Sequence, residues 1–597
     1  MAIELGKWAV VAALWVSVPA LAAPPGQMAP ARESVAGTTA ADHAFATLAD
    51  RYFDAFYLPT NPSAATSYGI HKYDGKLEDY SRTGIARQVA ALKTWEQRVA
   101  AVDPASLSLY IRGDRDLVLN NIRSSLLTLE AIRPWQKNPD FYSSGITASA
   151  FTLMERKFAP PETRLRDLIS REKQMPGALR AARTNLKNPP KIYTEIALEQ
   201  LPGLIAFFRK DVPAAFTDVS DAALKKQFAA SNSAVIEALG DYAAWLKKDV
   251  LPRSHGDFRI GAKVFREKLK YDEMVDLPLD KLVALDEANL KANQSEFAKV
   301  AKELDPDKTP REVLAELAAD HPQPDKLLDT FRSTFDTLVG FIRSHHIITI
   351  PSRVRPTVEE TPPFMRATTF ASMDTPGPYE TKATTAYFNV TLPEKDWTRQ
   401  HINGFMAQFS YPVITSVATH EAYPGHYVQF LWMHRVHDRV RKLLGSATNA
   451  EGWAHYCEQM MLDEGLAQYE FPNDRRQQLL LKLGQLQDAL LRNARFIVGI
   501  KLHTGQMTLD QAKDFFVEEG YQSPAVGEVE TKRGTSDPTY LYYTLGKLEI
   551  LKLRADMEKK EGAKFNLEQF HDDFMQHGFA PIAIVRREML HDDSPVL

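Results

Sequence analysis

A single cysteine, Cys457, stands among 597 residues. No disulfide can form within the chain, so its stability must come from a packed core rather than covalent staples. Charge of one sign is lacking as well. Lys and Arg total 72 against 76 Asp and Glu, a net charge of −4, and there is no basic stripe of the kind that nucleic acid as a partner requires. Past residue 22 no apolar run is long enough to span a bilayer, which excludes a polytopic membrane protein. Internal repeats and low-complexity tracts are missing too. What remains is ordinary: 44% hydrophobic and 25% charged residues, the composition of a soluble globular protein. A chain this long can bury about three quarters of its unfolded surface.

The N-terminus reads as a targeting segment. Lys7 precedes the apolar run Trp8 to Val16, and Ala20-Leu21-Ala22 supplies a small-x-small cleavage site. Residues 1–22 are expected to be a signal peptide, giving an exported protein, periplasmic or secreted, with no stable membrane insertion after cleavage. No cysteine stands at the cleavage site, which argues against a lipid anchor. Residues 23–41 are rich in Ala, Pro, Gly and Thr and read as a disordered lead-in.

From Asp42 the apolar periodicity is helical for some 300 residues, defining an N-terminal helical half over 42–345. Pro160-Pro161-Glu162-Thr163 opens a helix that carries Leu165, Leu168 and Ile169 on one face, and Pro176-Gly177 marks its end. Further helices are predicted over 222–247, 279–303 and 326–344. The texture changes near 350: six prolines between Pro351 and Pro378 forbid regular helix. They lead into Thr384 to Leu392, β-branched and aromatic, which reads as one isolated strand. Helical patterning then returns and completes a second half, 346–597, of the same body. The predicted fold class is mainly α, with a small β element.

The segment Thr419-His420-Glu421-Ala422-Tyr423-Pro424-Gly425-His426 carries the chemistry. Two histidines four apart on a helix share a face and can grip one metal, as in HExxH. Here they are six apart, about 240° round an ideal helix. Excising Pro424 and Gly425 leaves His-Glu-Ala-Tyr-His, so a bulged helix is predicted, looped outward at Pro-Gly. His420 and His426 then meet one metal, and Glu421 faces water as general base. A third ligand is expected from Asn449 to Glu458, where Glu451 completes a His₂Glu set. His455 or Glu458 would orient a ligand imidazole. Cys457, with nothing beside it to activate a thiol, reads as a core residue.

These residues resemble a bacterial family, domain of unknown function 885, with a signature similar to HExxPGHxxQ followed by EGWAxYxE. His420, Glu421, Pro424, Gly425, His426 and Gln429 match the first part, and Glu451, Gly452, Trp453, Ala454, Tyr456 and Glu458 the second. The resemblance implies a gluzincin-like zinc metallopeptidase whose large helical body is similar to neurolysin and angiotensin-converting enzyme, with the β element beside the zinc helix. It also implies an Arg, then Pro-Gly-Gln, then a Tyr three residues before a Gly. The chain has Arg533, Pro538, and Tyr543 before Gly546, but Thr539-Tyr540 where Gly-Gln is expected. Tyr543 or Arg533 is thus the implied oxyanion donor, with Tyr540 and Tyr542 as rivals.

The expected activity is hydrolysis of a peptide or small amide with one Zn²⁺ as cofactor. The substrate backbone is expected to add as a strand along Ala386, Tyr387, Phe388 and Asn389. Two alternatives stay open: a metal-dependent amidase or esterase acting on a small metabolite, and a zinc-containing binding protein without turnover. Glu421 argues against the last, since a purely structural zinc site has no use for a carboxylate that is not a ligand.

Overall fold

Thr39 and Asp42 cap each other reciprocally: the Asp42 N–H donates to Thr39 Oγ1 at 3.0 Å and the Thr39 N–H to the Asp42 carboxylate at 3.3 Å. This capping box starts helix α1 (Ala40–Tyr52) one residue before the expected end of the lead-in. The computed structural model describes residues 39–362, 366, 369–394 and 397–597. The expected signal segment and the lead-in up to residue 38 lie outside them.

Helix makes up 71% of the described residues and strand 3%, so the mainly α class holds. Leu165, Leu168 and Ile169 are buried on the helix Pro161–Glu172. Pro176 does not end that helix; it sits in the first turn of the next, Met175–Asn185, where its missing N–H costs nothing. The N-terminal half also includes α2 (Asp140–Met154), α3 (Leu279–Leu304) and α4 (Leu327–Ser344). On α4, Leu327, Phe331, Phe335, Leu338 and Ile342 recur at helical spacing and are all buried. Each such side chain contributes roughly 1.5–3 kcal/mol when removed from water.

Instead of one isolated strand there are three: β1 (Thr357–Glu360), β2 (Ala371–Asp374) and β3 (Tyr387–Val390). Their order is β1-β3-β2, with β1 parallel and β2 antiparallel to β3. Phe388 of β3 is fully buried against Phe331 and Phe335 of α4, at ring-centroid distances of 5.1 and 6.0 Å. A strand so buried cannot leave its N–H and C=O groups unpaired. This corrects the expected substrate strand. Tyr387, Phe388 and Asn389 already pair on both edges of β3, and the Ala386 carbonyl accepts the Thr357 N–H. No edge is free there; the outer strand that reaches Glu421 is β2.

Six helices follow or support the site: α5 (Tyr411–Glu421), α6 (His426–Met433), α7 (Ala447–Asp463), α8 (Arg475–His503), α9 (Pro524–Ser536) and α10 (Tyr542–Glu561). One core runs through Phe45 of α1, Phe331, Phe388, Trp453 of α7 and Ile582. Residue 345 is therefore no break in the packing. Leu290 and Phe297 of α3 pack with Leu483, Leu486 and Leu490 of α8 in a further cluster.

Helices α7 and α10 cross at two glycines. A Cβ on Gly452 would lie 2.5 Å from Gly546 Cα, and one on Gly546 would lie 1.9 Å from the Thr448 carbonyl oxygen. Backbone cannot yield as a side-chain tip can. Gly546→Ala is expected to cost about 1–3 kcal/mol or more by forcing the helices apart. An unchanged urea midpoint in that variant would show the close crossing to be wrong.

Candidate metal centre

Helix α5 does not bulge at Pro-Gly; it ends. The Ala422 and Tyr423 N–H groups both reach the Ala418 carbonyl, at 2.9 and 3.1 Å, and the Gly425 N–H reaches Thr419 O at 3.0 Å. Pro424, in a cis peptide bond with Tyr423, has no N–H to continue the ladder. The chain then folds back so closely that a Cβ on Gly425 would lie 1.8 Å from His420 O. Only glycine fits. A new helix, α6, starts on His426 itself. The predicted bulge is thus two helices joined by a turn, yet the two imidazoles still come together, with ring centroids 4.9 Å apart.

Glu451, in the second turn of α7, completes the group. Its Oε2 lies 3.4 Å from His420 Nε2 and 3.4 Å from His426 Nε2. One ligand atom from each of the three residues falls within 4.8 Å of the others. Donors about 2.0–2.1 Å from a tetrahedral zinc are separated by about 3.3–3.4 Å. The donor set and spacing therefore fit such an ion. Two imidazoles also pull on the carboxylate: burial opposes its charge, but His426 and His420 hold Glu451 well below the usual range.

Behind the cluster sits a second row of charges. His420 Nδ1 is 2.7 Å from Glu458 Oε1, and His455 Nδ1 is 3.1 Å from Glu458 Oε2. This leaves His420 Nε2 facing Glu451, as a ligand imidazole requires. Burial would lower the His420 pKa, but the bonds to Glu451 and Glu458 overcome it and raise it to about 9. Glu458, 2% exposed, is held well below the usual carboxylate range despite burial, first by Arg492. Arg492 Nη2 lies 2.9 Å from Glu458 Oε1. Sequence reasoning missed Arg492: in α8 it looks like any helix-borne charge. His455 supports Glu458 and is itself no member of the ligand group.

Glu421 stands beside these three residues but outside their set. Its Oε2 accepts the Met373 N–H of β2 at 2.9 Å, a backbone contact with no signal in the sequence. Burial raises its pKa, against the pull of His426 and His420. On the other side, Tyr543 lies near His420, with ring centroids 6.3 Å apart. Arg533 Nη2 approaches the Tyr543 hydroxyl at 3.5 Å. Of the rivals, Tyr542 is hydrogen-bonded elsewhere, and Tyr540 is packed away with its hydroxyl unpartnered. The Tyr542 hydroxyl donates to Asp537 at 3.0 Å, and Tyr540 is fully buried against Gly499 of α8 and Gly534 of α9.

The remaining motif residues lock the two segments together. Trp453 Nε1 donates to the Pro424 carbonyl at 3.0 Å and so pins the turn from behind. Gln429 Nε2 donates to Asn449 Oδ1 at 2.8 Å, and Asn449 Nδ2 to Ala580 O at 2.7 Å. Cys457 is fully buried in the core, as expected.

No curated protein matches the chain. Two solved structures share its fold. One, from Shewanella oneidensis, is described as a candidate lipoprotein of unknown function. It is 26% identical, with a TM-score of 0.77, over 92% of this chain and 99% of that one. The other, a candidate lipoprotein from Colwellia psychrerythraea, is 18% identical, with a TM-score of 0.75, over 93% and 99%. Among the described residues no helix is long and apolar enough to cross a membrane. The model of a family of bacterial proteins of unknown function, DUF885, matches residues 62–589. The chain belongs to that family.

Proposed function

We propose that the protein is an exported zinc-dependent hydrolase, acting in the periplasm or outside the cell, that cleaves amide bonds in short peptides. One observation carries the proposal: His420, His426 and Glu451 converge beside a further carboxylate, Glu421, that is not one of the three. A zinc ion held by the three would supply Lewis-acid activation of water and of the scissile carbonyl. Glu421, its pKa raised by burial, takes the proton from the attacking water and returns it to the leaving amine. The Met373 N–H fixes the carboxylate for that task. Tyr543, with Arg533 against its hydroxyl, donates to the developing oxyanion, an interaction worth about 3–4 kcal/mol when a single donor is removed. If the N-terminal helices close over the site, as the resemblance to helical metallopeptidases implies, short peptides are favoured over folded proteins.

The direct test is metal analysis of the purified protein followed by digestion of a peptide mixture, read by mass spectrometry with and without chelator. Cleavage that chelator abolishes and zinc restores is expected. Bound zinc without cleavage of any peptide would point to the other substrates or to a binding protein. The supporting row gives a smaller effect: Glu458→Gln should lower zinc affinity about 10–100-fold while leaving all three ligands in place. Unaltered affinity in a chelator competition would remove Glu458 from this role.

A further inference from the structure

Phe430 stands four residues after His426 on α6, so the two side chains share one face of that helix, with ring centroids 6.0 Å apart. A second ring meets it from elsewhere in the chain. Phe579 packs edge-on against Phe430, at 5.2 Å and an interplanar angle of 61°. Both rings are half-buried, and neither belongs to the apolar core clusters found among the described residues. An aromatic pair left partly in water beside the metal cluster does not fill the interior. Aromatic side chains next to a few placed polar groups are what small-ligand sites are made of.

The motif segments hold the second ring in place. Phe579 lies in the turn between the helices Leu567–Gln576 and Ile582–Leu590. It follows Gly578, whose φ of +64° is in the left-handed region that favours glycine. The Phe579 carbonyl accepts the N–H of Ser446, the cap of α7, at 2.7 Å. The next carbonyl, of Ala580, accepts Asn449 Nδ2, and Asn449 Oδ1 accepts Gln429 Nε2 from the residue before Phe430. A Cβ on Gly445 would lie 2.5 Å from Phe579 Cβ, so the backbone there approaches closely. Gln429 and Asn449 have no part in holding a metal or moving a proton. Their hydrogen bonds tie Phe579 to both helices that bring His426 and Glu451 together.

We propose that Phe430 and Phe579 form the subsite that selects the substrate, a peptide with an aromatic side chain on a residue flanking the scissile bond. The inference rests on the hydrolase reading above. Adjacent Cα atoms of a peptide are about 3.8 Å apart, so a scissile carbonyl at the cluster carries its flanking side chains over the groups on either hand. On the His420 side these groups are polar, Tyr543 with Arg533. On the His426 side they are the two rings. A third ring meets such a pair edge-to-face or offset-stacked, which favours an aromatic side chain over an aliphatic one.

The first test is binding, which needs no turnover: calorimetric titration of Ala-Phe-Ala and of Ala-Ala-Ala into the full-length, zinc-loaded Glu421→Gln protein. Ala-Phe-Ala should bind at least about 10-fold more tightly, the low end of what an apolar pocket discriminates. Phe430→Ala and Phe579→Ala in that background should each remove most of the difference, with zinc content and the metal-free melting temperature unchanged. Phe579→Tyr keeps the ring and should keep the preference. The second test is the peptide-mixture digest with the wild type, where aromatic residues should be enriched at one of the two positions beside the cut. Equal binding of the two peptides, binding of neither, or a preference that survives both alanine substitutions would overturn the subsite. Cleavage of no peptide, with the binding preference intact, would instead overturn the hydrolase reading and leave the rings as a peptide-binding site.

Discussion

His426→Ala is expected to leave the protein folded and almost free of zinc. Two ligands, His420 and Glu451, remain, and a protein site built for three loses its closed geometry. Metal analysis should give about one zinc per wild-type chain and less than roughly a tenth of that in the variant. The fold should tolerate the change, because the His426 ring is partly exposed and its Nδ1 holds no hydrogen bond. Melting of the two metal-free proteins should therefore coincide. Added zinc should raise only the wild type, by about 4 kcal/mol at a thousandfold excess over Kd. Full zinc occupancy in the variant would refute the three-ligand site, whereas unfolding alone would show as a lowered metal-free melting temperature.

The second large effect separates catalysis from binding. Glu421→Gln keeps an acceptor for the Met373 N–H, now 2.9 Å from the carboxylate, so the side chain should hold its place. It cannot accept a proton from water. Zinc content is expected to persist while hydrolysis falls by roughly 10²-fold or more. Glu451→Gln should behave in the opposite order, losing metal first, because a neutral amide replaces the carboxylate that two imidazoles face at 3.4 Å. If both variants lost zinc equally, Glu421 would have to be a ligand. If both kept zinc and activity, the catalytic reading itself would fail and a binding protein would be the better account.

The two motifs, their residue types and the helical class were legible in the sequence because they depend on neighbours along the chain. Leu327, Phe331, Phe335, Leu338 and Ile342 mark a helix by spacing alone. The type and order of His420, Glu421 and Glu451 mark them as a candidate metal site. Among the described residues between 351 and 378 there is no helix, as the prolines there lead one to expect. They could not reveal β1 and β2, since a four-residue strand is defined by the partner it pairs with, and that partner, β3, lies up to 30 residues away.

The turn at Pro-Gly shows the same limit from the other side. Excising two residues restores a familiar register, but whether the helix bulges or stops depends on what lies behind it. Here that is Trp453, donating to the Pro424 carbonyl from α7, and the close approach of Gly425 to His420. Arg492 and the Met373 N–H reach the site from α8 and β2, and the Gly452–Gly546 crossing sets α10, with Tyr543, against α7. Local spacing thus determined which residues could bind a metal. Which atoms surround them, and which hydrogen bonds hold each in one orientation, was decided by packing between segments far apart in sequence, because burial and hydrogen bonding act through space and leave no fixed spacing along the chain.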